Sequence, residues 1–252
     1  MHMHFRQLFE TDSSTYTYLL ACPDTGECVL IDPVIETVER DLSVINEMGL
    51  KLNCVLETHI HADHITGARK LKALSGCRIA GPAMDELPCR DIGVREGEPF
   101  RVGQVTLNPL YTPGHTDTHH AFLLEHGGMN LLFSGDALLI EACGRTDFQS
   151  GDARTLYRSI HEKFFSLPDE TLVYPAHDYE SRQITTIGQE KMRNPRLGRG
   201  KTLEEFVKIM DEMDLPYPRK IDFSVPGNEL CGECPDNVPD EMKRLCDVSR
   251  QG

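Results

Sequence analysis

Within Thr58-His59-Ile60-His61-Ala62-Asp63-His64, four side chains can ligate a metal ion: three imidazoles and one carboxylate. Imidazole and carboxylate are the usual ligands of zinc and of non-haem iron. Three further candidates follow, each closing an apolar run beside a turn residue: His115 in Thr112-Pro113-Gly114-His115, Asp136 in Phe133-Ser134-Gly135-Asp136, and His177 in Tyr174-Pro175-Ala176-His177. A chance cluster of solvated histidines would not be followed by donors that recur at strand ends. The seven positions His59, His61, Asp63, His64, His115, Asp136 and His177 offer enough donors for two metal ions. They fit equally a site in which only some of them bind metal.

The elements that must position these donors are legible around them. Leu52 to Glu57 reads as a strand and Ile65 to Leu74 as a helix, which puts the first cluster on a strand-to-helix turn. Tyr16 to Cys22 and Cys28 to Asp32 are β-rich, with Pro23-Asp24-Thr25-Gly26 as a hairpin turn between them. Val38, Leu42, Ile45 and Met48 recur at helical spacing, and Gly49 is a C-terminal stop. Phe100 to Val102, Val105 to Leu110, Ala121 to Leu124 and Leu131 to Phe133 suggest a second sheet. Asp152 can cap a helix bearing Leu156, Ile160 and Phe164, and Leu172 to Tyr174 is the last core strand. Two sheets with helices outside would bring the strand-end donors to one edge. Beyond Glu180 the pattern is less regular, although Thr202 and Glu205 fit a capping box before Phe206, Ile209, Met210 and Met213. His119-His120 reads as strand and turn surface.

The 252 residues suffice for one large domain with an extension. No stretch approaches the ~20 apolar residues of a membrane helix, and the N-terminus lacks the apolar core of a secretory signal. The net charge of −14 argues against nucleic acid, whose phosphates call for clustered Lys and Arg. It also requires a local basic pocket for any anionic substrate. Nine scattered cysteines, an odd number, read mostly as reduced thiols of a cytoplasmic protein. Cys231, Cys234 and Cys246 sit in a tail read as loose, and Cys231-x-x-Cys234 as a disulfide or free thiols.

The ordered set H-x-H-x-D-H, His, Asp, His resembles the metallo-β-lactamase superfamily from about Phe5 to Tyr179. That implies an α/β fold of the metallo-β-lactamase αββα type, a core over residues 1–180, and a C-terminal extension over 181–252 packed on it, with a Cys-containing tail from about 231. Three stretches narrow the resemblance: Gly144-Arg145-Thr146-Asp147-Phe148-Gln149, His177-Asp178-Tyr179, and Asn194-Pro195-Arg196-Leu197 with Ile221-Asp222-Phe223-Ser224-Val225-Pro226. Together these resemble the persulfide dioxygenase branch.

That resemblance implies one Fe(II) per chain held by His59, His115 and Asp136, a two-His-one-carboxylate triad with open positions for oxygen chemistry. His61, Asp63, His64, His177 and Asp178 become groups that orient ligands or metal-bound water. The implied substrates are glutathione persulfide and O2, both oxygen atoms going to the outer sulfur before water releases sulfite and glutathione. His64 and Tyr179 are the implied catalytic groups, Tyr179 donating to substrate sulfur or bound oxygen. Arg145, Arg196 and Tyr179 are the substrate-binding candidates, since guanidinium matches carboxylate bidentately; Arg145 could equally pair with Asp147. The resemblance further implies a homodimer. Two alternatives remain: a dinuclear zinc thioester hydrolase of the glyoxalase II type, and a metal-stabilised binding protein without activity.

Overall fold

The computed structural model describes residues 3–247. The chain divides into two compact units. One holds the stretch up to Val94, Arg101–Val105, and the chain from Tyr217; the other holds Arg95–Phe100 and Thr106–Pro216.

The first unit is built on a six-stranded mixed sheet: β1 (His4–Glu10), β2 (Thr15–Ala21), β3 (Glu27–Ile31), β4 (Lys51–Leu56), β5 (Arg78–Pro82) and β6 (Ile92–Val94), adjacent in that order. β1, β2 and β3 pair antiparallel, whereas β3 to β6 run parallel. Parallel neighbours need crossovers, and helices α1 (Val38–Glu47) and α2 (Ala68–Ser75) supply two of them. Their apolar faces meet the sheet in a core of Leu19, Leu30, Val38, Ile45, Val55, Leu71 and Ile79. Because β3 and β4 are parallel, their C-terminal ends share an edge, so Asp32 lies beside the turn that begins at Glu57. The helix after that turn starts at Ala68, not at Ile65. Ile65 instead accepts the Ile35 amide, and the turn is used to aim side chains.

A second mixed sheet has the order β12-β11-β10-β9-β8-β7, with β7 (Phe100–Val102), β8 (Val105–Tyr111), β9 (His120–His126), β10 (Met129–Gly135), β11 (Leu172–Pro175) and β12 (Thr185–Thr186), and its strands β9 to β12 lie wholly in the second unit. β8, β9 and β10 alternate in direction, and β10 runs parallel to β11. The C-terminal ends of β8, β10 and β11 therefore point the same way, which delivers His115, Asp136 and His177 to one edge. Helix α3 (Ala153–Ser159) begins with Asp152 accepting the Thr155 amide and continues as a π-helical turn, Ile160–Phe164. Helices α4 (Ile187–Arg193) and α5 (Leu203–Asp211) complete the unit, α5 entering through the Thr202/Glu205 capping box. Phe206 and Met210 join Leu156, Ile160 and Phe164 in its core.

The chain returns to the first unit with α6 (Ile221–Asn228) and α7 (Asp240–Cys246). α6 forms despite Pro226, and ends two residues after it. The tail is ordered as a helix, because Val238 and Met242 are buried against Ile35 and Ile65. Cys231 is disulfide-bonded to Cys89 and Cys234 to Cys246; Cys22, Cys28, Cys54, Cys77 and Cys143 are free and buried. Among the described residues, no helix is long and apolar enough to cross a membrane.

Candidate metal centre

In the first unit the site begins at Asp32. Its carboxylate accepts the Thr58 amide and the Thr58 hydroxyl, both at 2.8 Å. The Thr58 hydroxyl also lies 2.9 Å from His59 Nδ1. A hydroxyl has one proton, and a carboxylate can only accept. The Thr58 proton therefore goes to Asp32, and the Thr58 lone pair accepts Nδ1–H of His59. That leaves the Nε2 lone pair of His59, which is buried, to face a metal ion. Asp32 adopts φ 49°, a left-handed conformation that carries its side chain under the turn.

His61 Nε2 lies 3.2 Å from Asp32 and 3.3 Å from Glu57. Burial alone would strip this imidazole of its proton, but Asp32 and Glu57 outweigh burial and hold its pKa well above the ordinary histidine value. His64 Nδ1 donates to Asp63 at 2.9 Å, and Asp63 also accepts from Thr15. His61 Nδ1 and His64 Nε2 are buried and have no hydrogen-bond partner among the described residues. Buried imidazole nitrogens in that condition call for an ion, its water or a ligand. Two triads here bring their ligand atoms within 4.8 Å of one another: His61, Asp63 and His64; and Asp32, Glu57 and His61.

In the second unit Asp136 lies between two imidazoles, with His115 Nε2 and His177 Nε2 each 3.4 Å from its carboxylate oxygens. His115 Nδ1 lies 2.8 Å from the Arg145 carbonyl, which can only accept, so the proton is on Nδ1 and the lone pair on Nε2. Gly144 is held tightly here. Its amide donates to the Asp136 carbonyl, and a Cβ on it would lie 2.2 Å from that oxygen and 2.8 Å from the His115 ring. Gly114, at φ 135°, starts the turn that presents His115, with Leu156 so close that no side chain fits.

His119 and His120 are buried, contrary to the surface position expected of them. The reason is satisfaction at both ends of the His119 ring. The Asp136 amide donates to Nε2 at 3.2 Å, and Nδ1 lies 2.8 Å from the Thr112 hydroxyl. His119 thus fixes the backbone of a candidate ligand.

A model of the metallo-β-lactamase superfamily matches residues 11–177. Persulfide dioxygenase ETHE1 of Mus musculus is 48% identical over 228 residues, 90% of this chain and 88% of the relative. The crystal structure of ETHE1 from Myxococcus xanthus superposes with a TM-score of 0.87 at 48% identity, over 91% of this chain and 99% of that one. This chain is a member of the persulfide dioxygenase family of the metallo-β-lactamase superfamily. A hydroxyacylglutathione hydrolase of Methylococcus capsulatus is 39% identical over 166 residues, 65% of this chain and 62% of its own. The two mixed sheets with their helices are accordingly the metallo-β-lactamase fold, as the sequence led us to expect.

The other candidates of this persulfide dioxygenase family member occupy the second unit. Tyr179 is 73% exposed, its ring stacked on His177 at 6.1 Å between centroids. Asp178 is buried and accepts the Glu180 and Arg182 amides and the Arg182 guanidinium. Arg145 grips Asp147 through two hydrogen bonds of 2.6 and 2.7 Å and reaches the Pro216 carbonyl. It lines a cleft of about 590 Å³ with Arg154, Met210 and Leu215. Arg196 donates to the Cys143 carbonyl at 2.9 Å. Cys143 is buried, and burial pushes its thiol pKa up.

Sequence reasoning did not find Asp32, Glu57, Thr58, His119 or Arg182. An acid closing one parallel strand beside a histidine-bearing turn was the available signal for Asp32. Nothing local marked Arg182.

Proposed function

We propose that this chain is a persulfide dioxygenase: it oxidises the outer sulfur of glutathione persulfide with O2, and water then releases sulfite and glutathione. The carrying observation is 48% identity to an ETHE1 persulfide dioxygenase along nearly the whole of both chains, against shorter and weaker likeness to hydroxyacylglutathione hydrolases. One Fe(II) per chain would be held by His59, His115 and Asp136. The donor set suits it, since hydrogen bonds at Nδ1 leave each histidine an Nε2 lone pair and Asp136 adds the carboxylate. Bound there, Fe(II) supplies open coordination positions and the electrons that activate dioxygen.

The protein's own groups then bind and orient. Asp32 through Thr58, and the Arg145 carbonyl, fix the ring planes of His59 and His115. His61, Asp63, His64, His177 and Asp178 would orient the ligands or metal-bound water; the buried, unpartnered Nδ1 of His61 and Nε2 of His64 support that role. The Tyr179 hydroxyl would donate to the reacting sulfur or oxygen. Arg196 and Arg145 would receive the carboxylates of the carrier, Arg145 at the rim of its cleft. No side-chain nucleophile is needed. On this reading residues 181–252 are an extension of a 1–180 core, and the protein works in the cytoplasm as a homodimer.

Metal analysis and two assays test the reading. The expected result is one iron per chain with oxygen consumed on glutathione persulfide. Two zinc ions with hydrolysis of S-lactoylglutathione would replace it by the hydrolase reading, which the grouping of His61, Asp63 and His64 favours. Metal without either activity would leave a binding protein.

A further inference from the structure

The histidine-bearing turn is held by one side chain from outside the region that the superfamily model matches. Asn228 closes α6 and is buried. Its amide nitrogen donates to the carbonyls of His61 and His64, both at 2.8 Å, and its amide oxygen accepts the Thr66 backbone N–H at 2.8 Å. The side chain has two donor protons and one acceptor oxygen, and all are used on three residues of the turn, His61, His64 and Thr66. The same segment touches the turn twice more. The Cys231 carbonyl accepts the Arg69 amide, and Gly232 packs so tightly on the Thr66 carbonyl that a Cβ would lie 2.3 Å from that oxygen. Thr66 is pinned from its other side, its hydroxyl donating to Glu57 at 2.5 Å.

The two carbonyls that Asn228 holds belong to the residues whose imidazoles flank the centre. A peptide carbonyl held in direction fixes ψ of its own residue, and with it the path of the Cα–Cβ bond. Asn228 lies about 50 residues past the superfamily match, which ends at residue 177. We propose that Asn228 is a positioning residue of the metal centre, and that the 221–232 segment sets the directions of His61 and His64 in a turn whose ligand pattern the wider superfamily shares. The proposal rests on the metal-binding reading given above.

The test uses the full chain, Co(II) as a coloured probe, and the variants Asn228→Ala and Asn228→Asp. Asn228→Ala removes all three bonds. Asn228→Asp keeps the acceptor for Thr66 and loses both donors. Asn237→Ala, at an exposed position of the same extension, is the control. We expect metal-free Asn228→Asp to fold, at a lower melting temperature because two buried carbonyls lose their donor. We also expect Co(II) bound about 10–100-fold more weakly, the range for groups that orient metal ligands, with an altered visible spectrum. Asn228→Ala should weaken binding at least as much, and Asn237→Ala should do neither. Wild-type affinity and spectrum in the folded Asn228 variants would overturn the inference while leaving the metal reading intact. Failure of both variants to fold would overturn it too, since Asn228 would then serve folding alone. A wild-type chain that binds no Co(II) would instead refute the metal reading itself.

Discussion

The decisive hydrogen bond of the centre runs through a threonine. The Asp32–Thr58–His59 chain sets the tautomer of a proposed ligand, so Thr58→Val should weaken iron about 10–100-fold in chelator competition, while Thr58→Ser should stay near wild type. The valine also leaves a buried Asp32 oxygen without its donor, at about 1–3 kcal/mol of stability. Loss of a ligand is a different event. Asp136→Ala should purify without iron, whereas His64→Ala should keep most of its iron and lose turnover partly, because His64, held by Asp63, is proposed to orient what the metal binds and not to ligate it. An iron-free His64→Ala protein would argue for the dinuclear site. Gly144→Ala is a third kind of change. Its Cβ meets the Asp136 carbonyl and the His115 ring at once, so iron content should fall although no donor has been removed.

Among elements, what could be read in advance was what sequence-local patterns encode. The Thr202/Glu205 capping box and the Asp152 cap are contained in four residues, and both were legible. Thr202→Ala should cost about 1 kcal/mol, or about 2–4 °C in melting temperature for a protein of this size. The seven candidate positions at strand ends and in the turn could be picked out because apolar runs and turn residues frame them. What escaped depends on pairing between distant segments. β5 and β6 are short strands made by parallel neighbours, and the burial of His119 follows from an Asp136 amide that only the sheet brings to it. Glu190 is another such case. It is buried on α4, where it accepts from Asn194, Thr185 and the amide of Glu141. Burial raises its pKa above that of an ordinary glutamate, against the lowering effect of those bonds. A raised folded-state pKa means that the folded chain binds this proton more tightly than the unfolded one. The stability so gained is full below the unfolded pKa and is lost as pH rises through the folded one. Urea unfolding of wild type and Glu190→Gln at about pH 4 and about pH 7 should therefore show wild type relatively more stable at the acid end. A difference that grows toward neutral pH would contradict the assignment.

For the whole molecule the governing quantity is charge. Twenty-six Lys and Arg stand against 40 Asp and Glu, a net −14, yet the proposed substrate is an anion with two carboxylates. Long-range repulsion must be offset by cations close to the carrier. Arg145 already spends its guanidinium on Asp147 and on the Pro216 carbonyl, whereas Arg196 gives one nitrogen to the Cys143 carbonyl. Arg196 is thus the better placed to take a carboxylate. Arg196→Ala should raise KM much more than it lowers kcat, because that contact is made alike with bound substrate and transition state. Tyr179→Phe should show the reverse, a loss mainly in kcat, if its hydroxyl acts at the reacting atoms. Ionic strength separates the local attraction from the global field. Screening shortens to about 10 Å at 0.1 M salt, which weakens both the pull of Arg196 and the push of the surplus carboxylates. In wild type the loss of the pull should dominate, and KM should climb with salt. In Arg196→Ala only the push remains to be screened, so KM should climb less or fall. Steady-state oxygen consumption by the three proteins at low and moderate salt measures all of this. An Arg196→Ala enzyme with the wild-type KM at both salts would mean that other groups hold the carrier, with Arg196 left to brace the Cys143 carbonyl.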